Sequence, residues 1–413
     1  MIDKIKKVGL MNWIMIAMAL GAVVGFIVGP AIAPIGILGD IFIRLIQMSV
    51  TVMIFLAVIE AVGNLDPVDL GKLGLKMFAW FGAFTLIGAT IGVLFGIFLQ
   101  PGVGVETSVE AAAVVGSDMS IEETVLGFFP TNVMGALAEG NMIQVIVFAI
   151  LFGVSLSLIK QYNPENMTMK MVMDANEAVQ KTIGLVMYTA PFGIFAIIAD
   201  VVGTSGLDVI LSLGKFLLVF LIAAILHTII VIIVTSAKAR VNPWHATKKL
   251  KNMFIIAVTT TSSSVALPTK LEDSEKLFGM SKRINNFVNP LGTALNSNGL
   301  SMYLGIAVVF LAQFYDIDMT VGQLVYAVAL SSLATLGTVT VPGGGIVALT
   351  VVVPYLGLPT ASIGLLAGVD WFAGMIRTPL NTMVDALVAM VIAADENELD
   401  YEVFNRTLKT QPQ

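Results

Sequence analysis

The last apolar stretch of the chain, residues 361–394, reads ASIGLLAGVDWFAGMIRTPLNTMVDALVAMVIAA. Four polar residues and one glycine follow each other in it at intervals of 4, 3, 4 and 4 residues, which places them on one stripe of an α-helix. They are Asp370, Gly374, Arg377, Asn381 and Asp385. A charged side chain at the centre of a bilayer costs roughly 2.5 to 17 kcal/mol. We therefore expect this stripe to face a ligand or a water-filled cavity.

The whole chain has the composition of a membrane protein. Its 413 residues are 57% hydrophobic and only 12% charged, and the mean hydropathy is +0.92. Apolar runs long enough to cross a hydrocarbon layer of roughly 30 Å recur from end to end. The absence of cysteine excludes disulfides and thiolate chemistry. The net charge of −6 is too small to identify a binding partner. We expect the lipid bilayer to surround the protein, and we expect no binding of nucleic acid.

Six membrane spans are predicted in the first part of the chain, at 10–34, 38–63, 72–100, 128–160, 174–203 and 207–237. We expect the first of them to be retained, not cleaved as a signal peptide. After His245 the apolar pattern is broken twice, at Thr259–Ser264 and at Pro342–Gly345. A long span from Arg283 to Phe314 lies between the two broken segments, and the stretch described above follows the second.

Basic residues cluster in alternate loops, which the positive-inside rule places in the cytoplasm. They are Lys4, Lys6, Lys7, Lys72, Lys76, Lys160, Lys170, Lys238, Arg240, Lys248, Lys249 and Lys251. The stretch 101–127 contains several acidic residues and no Lys or Arg, so we expect it outside.

A further basic group follows the first broken segment: Lys270, Lys276, Lys282 and Arg283. We therefore predict that this segment enters from the cytoplasm and returns to it as a re-entrant hairpin. The second broken segment would enter from outside. The predicted fold is an all-α polytopic protein of the plasma (inner) membrane. It has eight transmembrane helices, two opposed re-entrant hairpins and cytoplasmic termini.

A hairpin followed by a helix thus occurs twice, as an inverted repeat. The distance from Ser263 to Asn296 is 33 residues, and that from Gly344 to Asn381 is 37 residues. Paired broken segments of opposite entry are the sequence signal of a secondary transporter with its binding site at the membrane midplane.

The two broken segments carry different residues, which predict a ligand-binding tip in the first and a gate in the second. The first contains six consecutive hydroxyl residues, Thr259 to Ser264, which supply donors without adding charge; the alternative is that they bond their own helix. Pro342 and the three glycines after it would form the tip of the second. That tip is interpreted as an external gate, although a plain turn explains the same residues.

Two further features of the apolar segments indicate binding sites, one for a cation and one for an anion. Asn296-Ser297-Asn298-Gly299 interrupts the span after Arg283, so we expect local unwinding there. Freed carbonyls and Asn side chains would suit Na⁺, and an interhelical hydrogen-bond patch is the alternative. Arg377 offers a planar fork for a carboxylate, unless it pairs with Asp370 two turns away.

Three smaller expectations complete the residue-level analysis. Asp385 would suit a cation or a proton. Pro379 predicts a kink or an unwound turn beside Arg377. His227 and His245 are expected to be interfacial or solvated.

Taken together, these residues resemble the glutamate transporter homologue family, also called dicarboxylate/amino acid:cation symporters. The resemblance covers nearly the whole chain. The residues that carry it are Leu38–Met48, Ala190–Ala196, the serine run, Pro342–Gly345, Asp370, Arg377, Thr378, Asn381 and Asp385.

Membership would imply a homotrimer in which a transport unit moves across the membrane like an elevator. The trimerisation scaffold would comprise residues 1–70 and 128–203, and the transport domain 71–101 and 207–396. Residues 102–127 would be an extracellular loop and 397–413 a cytoplasmic tail.

The resemblance also implies roles for individual residues. Substrate would contact Ser263, Ser264, Val341, Pro342, Gly343, Gly345, Gly374, Arg377, Thr378 and Asn381. Sodium would be held by Gly292, Asn296, Asn381 and Asp385. Weaker sodium candidates are Thr85, Ser297, Asn298, Thr335 and Thr338. No organic cofactor is implied, only Na⁺ and/or H⁺ as coupling ions.

Departures from the family pattern indicate the substrate. The family's amino-acid carriers have an Asp one turn before the Arg, where it binds the substrate ammonium, and this chain has Gly374. A motif that reads Asn-Met-Asp-Gly-Thr in those carriers here lacks its carboxylate at Asn298 and its hydroxyl at Leu300. Phe81, Phe84 and Thr85 stand where a Tyr and a Thr-Ser pair support another sodium ion.

A symporter of a C4-type dicarboxylate without an amino group, a small anionic solute, is therefore favoured. An acidic or other amino-acid symporter is the alternative, and an anion channel is a remote one. An intramembrane aspartyl protease is not expected, because Asp370 and Asp385 are 15 residues apart on one helix, about 22 Å, too far for a catalytic dyad.

Overall fold

The computed structural model describes residues 10–64, 73–104, 126, 129–164, 167–206, 208–335 and 344–406. These residues are almost entirely helical, and the pairing of extended backbone that they show is one antiparallel bridge between Met280 and Leu399. Several predictions fall outside the described residues: those for Val341, Pro342, Gly343 and Thr338, and most of the loop 102–127.

The helices follow in chain order. They are α1 (Leu10–Val28), α2 (Ile37–Gly63), α3 (Leu75–Leu99), α4 (Val133–Glu139), α5 (Met142–Lys160), α6 (Met167–Met187), α7 (Ala190–Ser205), α8 (Asp208–Ala239), α9 (Pro243–Lys249), α10 (Lys251–Thr260), α11 (Ser263–Lys276), α12 (Lys282–Leu295), α13 (Asn298–Phe314), α14 (Val321–Leu333), α15 (Gly344–Tyr355), α16 (Ile363–Ala367), α17 (Asp370–Asp395) and α18 (Tyr401–Asn405). A 3₁₀ segment, Gly29–Gly36, joins α1 to α2.

Five helical runs among the described residues are long and apolar enough to cross a membrane: Trp13–Gly63, Leu75–Leu99, Asp208–Ala239, Lys282–Phe314 and Asp370–Asp395. A sixth arises if α6 and α7, which are bent by 52° at their junction, form one span. The prediction of an all-α polytopic membrane protein is confirmed.

The first of these runs is 51 residues long, more than twice the roughly 20 residues that a bilayer needs. Its two halves, α1 and α2, pack along α7 in opposite directions. Residues near the middle of α1 and near the start of α2 contact the first half of α7, and the 3₁₀ segment between them contacts the end of α7. The contacts are Gly21 with Phe195, Phe42 with Gly193, and Gly29 with Gly203. The chain therefore turns back at the prolines of the 3₁₀ segment, between the first two predicted spans.

The first broken segment forms a helical hairpin from α10 and α11. Thr261 adopts a left-handed conformation with φ of 49° and ends α10, and the Ser262 side chain caps the next helix by accepting from the Val265 N–H. At 10 and 14 residues, each arm is too short to cross a bilayer alone. Re-entry from the cytoplasm stays a prediction.

The long span between the two broken segments is interrupted where the sequence indicates. Helix α12 ends at Leu295, Asn296 is extended with φ of −96° and ψ of 129°, and α13 begins at Asn298. Local unwinding at the Asn-Ser-Asn-Gly motif is therefore confirmed.

The stretch 361–394 departs from the prediction in one respect. It is not one helix, because the chain breaks at Gly368 and Val369 between α16 and α17. Asp370 consequently lies in the first turn of α17, where the helix dipole favours a carboxylate. Helix α17 continues through Pro379 without an unwound turn.

Three helix ends predicted to be cytoplasmic meet acidic residues at the end of α17 and just after it. The ion pairs are Lys76 with Glu396 at 2.5 Å, Lys238 with Asp395 at 3.2 Å, and Arg283 with Glu398 at 2.6 Å. These three helix ends and the acidic residues therefore lie on one side of the membrane. That this side is the cytoplasm remains a prediction from the distribution of charge.

Two residues are placed differently from the prediction. His227 is completely buried, with Nε2 3.1 Å from the Phe84 carbonyl oxygen, so its assignment as interfacial was wrong. Lys270 lies inside α11 and is also completely buried, so it does not belong to a cytoplasmic loop.

Close packing of α3 on α13 depends on glycine, which generates a test of the fold. A Cβ at Gly92 would overlap the Met302 carbonyl oxygen, whereas a Cβ at Gly82 on the same helix meets nothing within 4 Å. We expect Gly92→Ala to lower the melting temperature of the purified protein, corresponding to about 1–3 kcal/mol of overpacking. Gly82→Ala is the matched control and should not destabilise. Equal melting temperatures for the two variants would contradict this packing.

Candidate functional site

Helix α17 is the centre of the candidate site. Every residue from Thr378 to Ala393 is buried, because α3, α8 and α10 to α13 all pack against it. Its polar side chains are therefore surrounded by protein and need partners there. The structure provides these partners in two groups, one around Arg377 and one around Asp385.

Arg377 and Asp370 form a forked ion pair within α17. Nη1 of Arg377 donates to Oδ1 of Asp370 at 2.6 Å, and Nη2 donates to Oδ2 at 3.2 Å. The side chains are only 14% and 9% exposed. This is the pairing that the sequence left open as the alternative to anion binding. A guanidinium has five N–H donors, so three remain for another acceptor.

Neighbouring elements enclose this ion pair. The Tyr303 ring lies 5.6 Å from Cζ of Arg377. Gly345, in the first turn of α15, approaches so closely that a Cβ there would overlap both Asp370 Oδ1 and Arg377 Nη1. Any side chain at Gly345 would therefore disturb the ion pair between Arg377 and Asp370 directly.

Gly374 faces the tip of the first hairpin and the guanidinium. A Cβ at this position would lie 3.8 Å from Cβ of Thr261 and 3.9 Å from Nη2 of Arg377. These are ordinary van der Waals distances, so the backbone leaves room for the first atom of a side chain. Packing therefore does not require glycine at position 374, and a small side chain would fit there.

The six hydroxyl residues at the hairpin tip divide into two groups. Thr259, Thr260 and Thr261 donate to carbonyl oxygens of their own segment, and Ser262 caps α11. Within the described part of the chain, Ser263 and Ser264 make no side-chain hydrogen bond. The local alternative thus accounts for four hydroxyls, and the two serines named by the family resemblance remain available to a ligand.

Asn381 links α17 to the break between α12 and α13. Its Oδ1 accepts the backbone N–H of Gly299 at 2.7 Å, and its Nδ2 donates to Oγ of Ser297 at 3.1 Å. Gly299 is required at this contact, since a Cβ there would lie 2.6 Å from Cα of Arg377.

Thr378, one helical turn before Thr382, is buried and its carbonyl oxygen accepts from the Thr382 hydroxyl.

Asp385 lies at the centre of the second group and is paired with a lysine. Oδ2 of Asp385 is 2.5 Å from Nζ of Lys270, and both side chains are completely buried. Oδ1 accepts from Nδ2 of Asn296 at 2.7 Å, and Asn296 in turn accepts from Asn298. A Cβ at Gly292 would lie 2.7 Å from Cγ and Oδ1 of Asp385. The structure thus brings Gly292, Asn296 and Asp385 together, and Asn381 binds the adjacent break.

Lys270 is the residue that sequence reasoning missed at this site. It was counted with Lys276, Lys282 and Arg283 as a basic loop residue, but those three have side chains 57% to 77% exposed. The sequence did contain a signal for burial. Lys270 lies only six residues after Ser264, the last serine of the hairpin tip. A lysine so near the tip of a hairpin that is predicted to enter the membrane has to be buried or paired.

The remaining sodium candidates are dispersed. Thr85 is buried on α3, where its carbonyl oxygen accepts from Ser301 at 3.0 Å. Thr335 is also buried and donates to the Ser332 carbonyl oxygen at 2.8 Å. Ser297 and Asn298 belong to the break already described. Phe81 packs against Gly292, with Cζ 3.0 Å from a Cβ built there.

Comparison with known proteins agrees with this architecture. The sequence model of the sodium:dicarboxylate symporter family matches residues 10–395 of the chain. The chain is 33% identical over 396 residues to a proton/glutamate-aspartate symporter of Bacillus subtilis (strain 168), covering 92% of this chain and 93% of that protein. It is 31% identical over 411 residues to a proton/sodium-glutamate symport protein of Bacillus caldotenax, covering 96% and 97%.

A third relative has a different named substrate. The chain is 30% identical over 400 residues to a C4-dicarboxylate transport protein of Bacillus subtilis (strain 168), covering 93% of each. All three relatives are transport proteins and not enzymes. From the family match over nearly its whole length, the chain belongs to the sodium:dicarboxylate symporter family.

Proposed function

We propose that this symporter carries a C4-type dicarboxylate without an amino group, coupled to sodium and/or protons. The observation that carries the proposal is Gly374, which faces Nη2 of Arg377 and the hairpin tip at Thr261 without a side chain. A substrate ammonium at this position would find no carboxylate from residue 374. A second substrate carboxylate would find the guanidinium.

Charge supports the same choice. An acidic amino acid with net charge −1, bound beside an Asp and an Arg, totals −1. A dicarboxylate with charge −2, bound beside Arg377 alone, also totals −1. The Asp370 carboxylate is bonded to Arg377, and it adds the same negative charge in either case. Replacement of the Asp by Gly374 therefore suits a ligand with one more negative charge.

An acidic amino acid is the second candidate, favoured by Asp370 itself. Its carboxylate lies beside Arg377 in a protected position, and an ammonium group could share it. The relatives include proteins named for glutamate or aspartate as well as one named for C4-dicarboxylates. Relatedness therefore does not distinguish the two substrates.

Individual roles follow as parts of the proposal. Ser263, Ser264, Thr378 and Asn381 would contact one substrate carboxylate and Arg377 the other. The segment Val341 to Gly345 would close the site from outside. We further propose a homotrimer working by an elevator movement, in the plasma (inner) membrane with cytoplasmic termini. Its scaffold would be 1–70 and 128–203, and its moving part 71–101 and 207–396.

The substrate is tested with the purified protein in proteoliposomes. We expect succinate or fumarate to be taken up against a gradient and to compete more strongly than aspartate or glutamate. Varying Na⁺ and pH separately identifies the coupling ions. If aspartate outcompetes every C4-dicarboxylate, the substrate assignment is wrong although the family assignment stands. Saturable, concentrative uptake distinguishes a symporter from an anion channel.

Gly374 provides a sharper test of specificity. We expect Gly374→Asp to weaken C4-dicarboxylate uptake by at least about tenfold, equivalent to about 1.4 kcal/mol, because a new carboxylate repels the dianion. Relative uptake of aspartate should rise. Gly374→Asn is the control, since it has the same shape without the charge. An equal loss in both variants would show that volume, not charge, sets the effect.

Arg377 is tested against its structural alternative. We expect Arg377→Gln to abolish measurable uptake and substrate-dependent thermal stabilisation, because a buried charge-assisted contact to the substrate is lost. Arg283→Gln is the control, since Arg283 pairs with Glu398 and is largely exposed. If the Arg377 variant retains substrate-dependent stabilisation, its guanidinium serves only the pair with Asp370.

A further inference from the structure

Lys270 makes a set of contacts that the proposed transport function does not use. It projects from α11 of the first hairpin into the protein interior and is completely buried. Its ammonium nitrogen lies 2.5 Å from Oδ2 of Asp385, 2.6 Å from Oγ1 of Thr293 and 3.1 Å from the Asn289 carbonyl oxygen. Three elements, α11, α12 and α17, therefore meet at this one nitrogen.

The geometry fits a charged ammonium group. An ammonium has three N–H donors and no acceptor, and it has three oxygen partners here. The Thr293 hydroxyl donates to the Asn289 carbonyl oxygen at 3.0 Å, so it presents a lone pair to Lys270. All three donors of the lysine are satisfied, and the Asp385 carboxylate has an opposite charge beside it. Neither member of the pair is left as an isolated charge in the interior.

The surrounding oxygens are also the kinds that hold a hard metal cation. A carboxylate, a hydroxyl and a backbone carbonyl are the ligand types that such ions take in proteins. The other carboxylate oxygen of Asp385 accepts from Asn296, and Gly292 packs against the same carboxyl group. The lysine nitrogen therefore stands where a cation would be held by Asp385.

We propose that the Lys270 ammonium is a tethered cation that takes the place of a coupling ion at Asp385. This inference deepens the proposed symport and rests on it for its functional meaning. The charge of Asp385 is neutralised within the chain, so no sodium ion has to bind there in each transport cycle. Coupling to cations would then use other positions, and one positive charge at the site would travel with the protein and not be released.

A purely structural ion pair is the competing interpretation, and the two differ in what happens when the lysine is removed. If the oxygens form a cation site, Lys270→Ala should allow Na⁺ to bind at Asp385. A ligand that binds the folded state raises its melting temperature with ligand concentration. If the pair only fastens α11 to α17, the variant should be destabilised equally in every salt.

The test measures melting temperatures of purified protein without substrate, in NaCl and in choline chloride at equal ionic strength. We expect Lys270→Ala to gain a saturable stabilisation by Na⁺ beyond any that the wild type shows. The double variant Lys270→Ala/Asp385→Asn should not gain it, because the carboxylate is absent. Lys276→Ala is the control on the same helix, with an exposed side chain paired to Glu272, and should match the wild type.

Each outcome bears on the proposal. No gain of Na⁺ response in Lys270→Ala, or the same gain in the double variant, overturns it. If Lys270→Ala folds only when purified in NaCl, that rescue supports it, and failure to fold in both salts counts against it. Since no substrate is present, the tethered cation can be wrong while the symport proposal stands. The uptake experiments decide the latter separately.

Discussion

A charge inside this membrane protein has to meet an opposite charge, because moving an unpaired ion from water into the interior costs several kcal/mol even after relaxation. Helix α17 carries three charged side chains between Asp370 and Asp385, and all three are paired: Arg377 with Asp370 in the same helix, and Asp385 with Lys270 from the first hairpin. The first pair lies within one helix. The second fixes a separate element in place, so the position of the hairpin against α17 depends directly on electrostatics.

Backbone irregularities supply the other half of the site. The helical path is broken at Thr261–Ser262, at Asn296–Ser297 and at Gly368–Val369, and each break lies next to one of the buried polar groups. Such breaks release backbone N–H and C=O groups, which survive in a membrane protein only where other protein groups or water satisfy them. Asn381 does this for Gly299. The ends of short helices therefore serve the site, whereas the long helices α3 and α8 provide its walls.

The sequence predicted the kinds of residue at the site better than their partners. Hydrophobic runs, the polar stripe on α17 and the glycine-flanked break at Asn296 are all visible in short stretches of sequence, and the structure contains all three. The pair between Lys270 and Asp385 joins residues 115 positions apart, and no local pattern specifies such a contact. Lys270 resembled a loop lysine because charge counting does not show which basic residue is buried. The break at Gly368 was missed because flanking apolar residues continue the helical pattern through it.

The two ion pairs on α17 are connected through the break between α12 and α13. Arg377 and Asp385 are eight residues apart, about 12 Å along the helix, too far for direct contact. Between them, Asn381 donates to Ser297, and the neighbouring Asn296 donates to Asp385. If substrate contacts Asn381 as proposed, a shift of Asn381 would disturb the break, and through it the carboxylate that holds Lys270. The link consists of two hydrogen bonds that are joined by the non-helical backbone of Asn296 and Ser297.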